Sequence, residues 1–289
     1  MTLVHSLSDP PARPGLTILV TGSTDGIGRA TALALARMGH RVLVHGRDPA
    51  KGRAALAEVR RAGSPEPGLF TADLSTREGV RGLAAGVADG HDRLDVLVNN
   101  AGVYRAERVL TADGLEMTFA VNLLAPFLLS HLLLPLLSAA APARIANVAS
   151  SAHFDAARMN WEDLQGEQRY DAWGAYAQSK LGVVLMTASF ARRVDPGEVT
   201  VNCLHPGVIC TKLLSSAFPS YPCESPEAGA RTSVYLATSP EVAGTTGKYF
   251  DGMQEARPSR ISRDQDARER LWGVLGKLGG IPDDPMDHA

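Results

Sequence analysis

Residues 21–28 read T-G-S-T-D-G-I-G, directly after the apolar, β-branched run L-T-I-L-V of residues 16–20. The order strand, glycine turn, helix governs how the rest of the chain is read. Glycine enters a tight turn without a Cβ penalty and lets a diphosphate come close to the backbone. The helix that follows presents unpaired N–H groups at its amino end, where an anion is favoured. Gly22, Gly26 and Gly28 have the spacing for this use, with Ser23, Thr24, Asp25 and Ile27 between them. A glycine pattern alone is weak evidence. Between the first strand and first helix of a βαβ unit it predicts a dinucleotide-binding turn.

Outward from that turn, strand-like and helix-like runs alternate. Further strands are expected at 41–45, 69–72, 94–99, 144–149, 199–204 and 248–250. Helices are expected at 29–38, 50–62, 76–88, 112–139 and 175–194. Strands apolar on both faces that alternate with helices imply a parallel sheet covered on both sides. Right-handed crossovers make it doubly wound. The expected fold is α/β, a single-domain Rossmann fold with a doubly wound parallel sheet of about seven strands. A more charged tail carries a helix at 265–278, expected to pack through Leu271, Trp272 and Leu275. Residues 1–15 hold three prolines and read as an irregular arm before a domain spanning 16–289.

Composition narrows the function classes. The chain has 289 residues, 45% apolar and 21% charged, with a formal net charge of −2. That balance exerts no global pull toward nucleic acid or an anionic membrane. The longest apolar stretch, 121–143, is interrupted by Asn122, Pro126, His131 and Pro135, so a buried or interface helix suits it better than a membrane span. The start lacks a basic region followed by an apolar core, so it is not read as a secretory signal. Cys203, Cys210 and Cys223 have no metal-site spacing and an odd count, from which reduced thiols and a cytoplasmic location are expected.

The second strand runs into H-G-R-D, residues 45–48. In folds of this type an acid at that strand end selects NAD through the ribose hydroxyls. Gly46 and Arg47 stand there instead, and a guanidinium suits a 2′-phosphate. NADP(H) is therefore the expected cofactor, with NAD(H) as the second choice. Asp48 reads as a helix cap before Pro49. Asp73, after the third strand, is either an acceptor for the adenine amino group or a cap.

With N-N-A-G at residues 99–102, the chain resembles the short-chain dehydrogenase/reductase family over about residues 16–250. Further matches are Asp73–Leu74, Asn122 in F-A-V-N-L-L, Ser150–Ser151, Y-A-Q-S-K at 176–180 and P-G-V-I-C-T at 206–211. A closer likeness is to the branch of retinol dehydrogenases and WW-domain oxidoreductases. That branch carries S-S-x-A-H, compared here with Ser150 to His153, and later D-L, R-Y, K-Y-F and L-W pairs.

The chemistry implied is hydride transfer between a nicotinamide and a carbonyl or alcohol, with an acid that protonates oxygen. Tyr176 and Lys180 lie one helical turn apart. In isolation the pair would read as a solvated helix face. By resemblance Tyr176 is the acid/base, Lys180 lowers its pKa and holds the nicotinamide ribose, Ser151 binds the substrate oxygen, and Asn122 supports a water relay. Ser150 is read as structural. The resemblance also places Asn99, Ala101, Gly102, Pro206, Gly207, Val208 and Thr211 at the cofactor. No metal ligand set is expected, and His153 reads as a polar or packing residue. The aromatics Phe154, Trp161, Tyr170, Trp173, Phe218 and Tyr221 either wall an apolar substrate pocket or fill the core of long loops. The stretch after Pro206 reads as a lid. The partner expected is a small-molecule carbonyl or alcohol, and a homodimer through 112–139 and 175–194 is the weaker expectation. The alternative function is a non-catalytic NADPH-binding sensor or scaffold.

Overall fold

The computed structural model describes residues 15–281, so most of the arm expected at 1–15 and the acids Asp283 and Asp284 lie outside the described residues. The first half alternates strand and helix: β1 (Thr17–Val20), α1 (Gly26–Arg37), β2 (Arg41–Gly46), α2 (Pro49–Arg61), β3 (Gly68–Thr71), α3 (Arg77–Gly90) and β4 (Val96–Asn99). Then come α4 (Met117–Phe119), a π-helical turn (Ala120–Leu124), α5 (Ala125–Leu132), α6 (Leu134–Ala139) and β5 (Ala143–Val148). The second half contains α7 (Ala172–Ala191), β6 (Val199–His205), α8 (Lys212–Ala217), α9 (Pro226–Thr238), β7 (Tyr249–Asp251), β8 (Gln254–Ala256) and α10 (Gln265–Gly279).

The sheet order is β3-β2-β1-β4-β5-β6-β7-β8. Every pair is parallel except β7–β8. The sheet therefore has eight strands rather than about seven. The order reverses between β1 and β4, and this crevice at the carboxyl ends of the strands is where a doubly wound sheet takes its ligand.

The pleat sorts the core into two layers. Leu19 of β1 joins Leu97, Phe127 and Leu181 on one face, while Ile18 and Val20 join Val42, Val44 and Leu35 on the other. Alternate residues point to opposite faces, and both faces are covered by helices, so the strands read as unbroken apolar runs.

The single long helix expected at 112–139 instead begins at Met117, widens through the π-helical turn and breaks at Leu133. Gly114, at φ +75°, turns the chain ahead of it, and Glu116 caps α4 by accepting from the N–H groups of Thr118 and Phe119 at 2.8 and 2.7 Å. Pro126 has no N–H to give the carbonyl of Asn122, and the register widens to π-helical just before it. Pro135 likewise coincides with the break at Leu133.

Near the C-terminus, α10 packs through Leu271, Trp272 and Leu275 as expected. Trp272 meets Phe127 of α5 at 5.0 Å and Phe190 of α7 at 5.5 Å, and the Arg193 guanidinium lies 4.3 Å over its ring. In this way α10 occupies part of the helical face on which the dimer expectation rests.

Candidate active site

The glycine loop is built by backbone constraints. Gly22 and Gly26 adopt φ of +64° and +51°. A Cβ on Gly28 would fall 2.3 Å from the Gly22 carbonyl oxygen and from Asn100 Nδ2. Asp25 caps α1 by accepting from the Gly26 N–H at 2.9 Å. Its carboxyl is held below the usual range, first by a hydrogen bond from Lys212.

His45, unremarked in the sequence, clamps this loop. Its Nδ1 accepts from the Gly22 N–H at 3.1 Å, which leaves the proton on Nε2, 3.3 Å from the Ala72 carbonyl oxygen. Burial pushes its pKa down to about 4. The neutral ring thus joins the glycine loop to the end of β3.

Two expected cofactor contacts are corrected. Ser23 is fully buried and its hydroxyl exchanges hydrogen bonds with the His45 backbone, so it supports the loop from behind. Asn99 turns into the interior, where its amide donates to Ser130 Oγ and Asn147 Oδ1. Its neighbour Asn100 points the other way and ties the loop through the Thr21 carbonyl at 2.8 Å. Asn100 lines the cavity and Asn99 does not.

One cavity of about 620 Å³ is lined by the remaining loop residues, Gly22, Thr24, Asp25, Gly26, Ile27 and Gly28, together with Arg47, Asp73, Leu74, Ala101 and Gly102. It continues past Tyr176 and Lys180 to Pro206, Gly207, Val208 and Thr211. Arg47 is largely exposed, with Nη1 4.0 Å from Asp73 Oδ2. Asp48 lies outside the cavity and caps α2, accepting from the N–H groups of Ala50 and Lys51. Asp73 combines two uses: it lines the cavity, and it accepts from the Ser75 N–H at 3.0 Å.

At the cavity floor the serine assignment changes. The hydroxyl that bears on Tyr176, lowering its pKa against burial, belongs to Ser150. Ser151 is exposed, and its backbone N–H donates to His205 Nδ1 at 3.2 Å. Ser150 lies two residues beyond β5 and caps the 3-10 turn Ser151–Phe154, its hydroxyl accepting from the Ala152 N–H at 3.2 Å, and both serines line the cavity. The signal was available. In S-S-x-A-H the second serine stands three residues before the histidine, and three before His153 is Ser150.

Tyr176 and Lys180 are both buried on α7, and the Lys180 ammonium lies 5.7 Å from the Tyr176 ring centroid. Lys180 Nζ donates to the Val148 carbonyl oxygen at 2.8 Å. Burial pushes Lys180 down to about 8 and Tyr176 up to about 12. The shift runs opposite to the lowering expected from Lys180: desolvation dominates, and the opposing contribution comes from Ser150. Asn122 sits in the π-helical turn with its amide engaged. Its Oδ1 accepts from Val103 N–H at 2.8 Å, and Nδ2 donates to the Val103 carbonyl and to Ser179 Oγ. It splices the strand β4 loop to α7.

The loop aromatics divide. Trp173, Phe218 and Tyr221 line the cavity, joined by Tyr104, which the sequence reading missed. Phe154 instead stacks beside His153 and Tyr249, Trp161 lies under Arg270, and the Tyr170 hydroxyl donates to the Arg105 carbonyl. His153 is a buried connector, with Nδ1 donating to the Ser150 carbonyl at 2.7 Å and Nε2 accepting from the Ser259 N–H at 3.1 Å. The thiols also depart from expectation. Cys210 and Cys223 are joined as a disulfide, and only Cys203 is free.

The sequence profile of short chain dehydrogenases matches residues 16–221, a span that holds the glycine loop, Ser150, Tyr176 and Lys180. This chain belongs to the short-chain dehydrogenase family. Its curated relatives include human retinol dehydrogenase 13, 40% identical over 284 residues, covering 93% of this chain and 86% of that protein. Human retinol dehydrogenase 14 is 38% identical over 303 residues, covering 94% and 89%. Among solved structures, a short chain dehydrogenase from Shigella flexneri complexed with NADP superposes with a TM-score of 0.68 at 28% identity, covering 83% of this chain and 98% of that one. This short-chain dehydrogenase therefore lies in the retinol dehydrogenase branch. It is an oxidoreductase acting on CH–OH or C=O groups in a family that uses NAD(P). Among the described residues no helix is long and apolar enough to cross a membrane.

Proposed function

We propose that this protein is an NADP(H)-dependent oxidoreductase for a bulky, apolar carbonyl or alcohol, with Tyr176 as its acid/base. The observation that carries the reading is the meeting of Tyr176, Ser150 and Lys180 at the floor of a cavity whose other end is the glycine loop.

The residues present fit a dinucleotide. The Gly22–Gly28 cradle leaves no room for side chains, and the amino end of α1 opens onto the same cavity. Arg47, at the end of β2 and lining the cavity, would take a 2′-phosphate, while Asp73 and Leu74 would flank the adenine. Complexes with NADP and NADPH among similar solved structures support the preference. When bound, the cofactor supplies or accepts the hydride at the substrate carbon.

Everything else falls to the protein. The Ser150 and Tyr176 hydroxyls donate to the carbonyl oxygen, so negative charge that builds there meets two fixed donors. Tyr176 then gives its proton to that oxygen. Its burial keeps the phenol protonated near neutrality, which suits an acid. Lys180 places a cation behind the phenol, and Asn122 acts by holding Val103 and Ser179. The aromatic wall of Tyr104, Trp173, Phe218 and Tyr221 suits an apolar substrate. Relatives named for retinol, an apolar polyene alcohol, point the same way.

Tyr176→Phe tests the reading. Loss of a general acid should lower carbonyl reduction by about 10²–10⁴-fold while NADPH still binds. Turnover at the wild-type rate would refute it. NADPH binding by a wild type that turns over no member of a panel of ketones, aldehydes, retinoids and steroids would favour the sensor or scaffold reading.

A further inference from the structure

The disulfide between Cys210 and Cys223 spans 13 residues and closes a loop over the cavity. That loop contains α8 and continues through Phe218 and Tyr221. Its neck carries a parallel bridge between Ile209 and Glu224, with Cys210 N–H donating to Glu224 O and Glu224 N–H donating to Val208 O, both at 2.8 Å. Its inner side contributes Leu213, Leu214, Phe218 and Tyr221 to the cavity wall. The Phe218 ring lies 5.2 Å from Trp173, which lies 5.6 Å from Tyr176, so an aromatic path leads from the loop to the proposed acid.

Little besides the neck holds this wall in place. No residue of α8 is buried, Phe218 and Tyr221 are 40% and 55% exposed, and the ion pair of Lys212 with Asp25 is itself at the surface. Packing of a buried face cannot fix such a segment. A covalent closure can, by removing the open conformations of the loop. Both cysteines are exposed, so a soluble reductant can reach them.

We propose that the Cys210–Cys223 disulfide determines substrate specificity: closed, it holds Phe218 and Tyr221 as the wall for a bulky apolar substrate, and reduced, it releases that wall. The inference rests on the function proposed above. A dithiol carries out the opening. One of its thiolates attacks a cysteine sulfur, the protein S–S bond breaks and a mixed disulfide forms. The second thiolate then closes on the first, so that two electrons and two protons end on Cys210 and Cys223, and the dithiol becomes a cyclic disulfide.

The test compares oxidised protein, protein reduced with dithiothreitol, and the Cys210→Ser/Cys223→Ser variant. Alkylation after denaturation should count one thiol in the oxidised protein and three after reduction. The KM for biphenyl-4-carboxaldehyde should rise about tenfold or more on reduction, a scale set by the loss of a good apolar contact in a pocket. Propanal, too small to reach the wall, should keep its kcat/KM. The double variant should match the reduced protein and ignore dithiothreitol. An unchanged KM for the biphenyl aldehyde, or three thiols before reduction, would overturn the proposal. Should the oxidised protein reduce neither aldehyde, the proposed function fails instead. Hydrogen exchange of residues 211–222 then still decides the staple: faster exchange on reduction supports it, and equal exchange overturns it.

Discussion

The Ser150 hydroxyl acts on the Tyr176 phenol, opposing the upward push of burial, while Ser151, next in the chain, gives its backbone N–H to His205. Two adjacent serines thus have separate duties, and substitution should separate them. Ser150→Ala removes one of two donors at the substrate oxygen and should lower kcat by about 10²–10³-fold. Ser151→Ala leaves the backbone N–H in place and should preserve kcat. Steady-state reduction of an aromatic aldehyde with NADPH checks both, and the reverse ranking would return the role to Ser151.

The pH response should differ between the two directions of reaction. Burial pushes Tyr176 up to about 12, so the phenol is protonated throughout the neutral range. Carbonyl reduction uses that form and should be flat from roughly pH 6 to 7, below the titration of Lys180 at about 8. Alcohol oxidation uses the phenolate, whose fraction grows about tenfold per pH unit below the pKa. A plot of log kcat for oxidation should rise with a slope near one. A flat oxidation profile, with chemistry shown to be rate-limiting by a deuterated alcohol, would remove Tyr176 as the base.

Arg47 should discriminate between the two nicotinamide cofactors. A charge-assisted hydrogen bond to the 2′-phosphate contributes about 1.5–3 kcal/mol, roughly ten- to a hundredfold in affinity. Arg47→Ala should weaken NADPH by that factor and leave NADH unchanged, read by fluorescence titration. Wild type binding NADH more tightly than NADPH would contradict the cofactor preference.

His45 should leave its mark on stability against pH. Its imidazole takes a proton near 6.5 when unfolded but only near 4 in the fold, because burial disfavours the charged ring. Between those values the unfolded chain binds more protons. The contribution is fully present above pH 6.5, is lost as pH falls through the window, and is gone below about 4. A difference of this size corresponds to ~3 kcal/mol. Urea unfolding of His45→Gln should show a shallower loss over that window than wild type. Other buried histidines, His40, His153 and His205, are common to both proteins and cancel in the comparison. Parallel curves would mean that His45 does not titrate this way.

The parallel sheet was readable because buried strands must be apolar on both faces, and β1, β4 and β6 are buried throughout. β8 escaped notice for the opposite reason: Q-E-A is a polar edge strand with no apolar pattern to detect. The glycine turn was equally legible, since only glycine fits where a Cβ would strike the Gly22 carbonyl. Errors arose where one residue of register decides orientation. Asn99 and Asn100 sit at the end of a pleated strand and point opposite ways, and residue type cannot say which neighbour faces the cavity; Ser150 and Ser151 both line it, and residue type cannot say which of them bears on Tyr176. The cysteine pair was hidden by an odd count, and only the returning loop brings Cys210 and Cys223 to a Cα separation of 5.1 Å.

The neutral ring of His45 spans the gap between Gly22 and Ala72, and so between the glycine loop and the end of the cavity beside β3, the proposed diphosphate and adenine positions. These two stretches lie about fifty positions apart in the chain. The tie adds to the bonds of Ser23 with the His45 backbone and of Ala72 with Gly46, and without such ties a dinucleotide would have to order both stretches as it bound. With the tie, that ordering entropy is lost during folding instead. The consequence is a preorganised site, in which association with the cofactor is governed by contacts formed rather than by freedom surrendered.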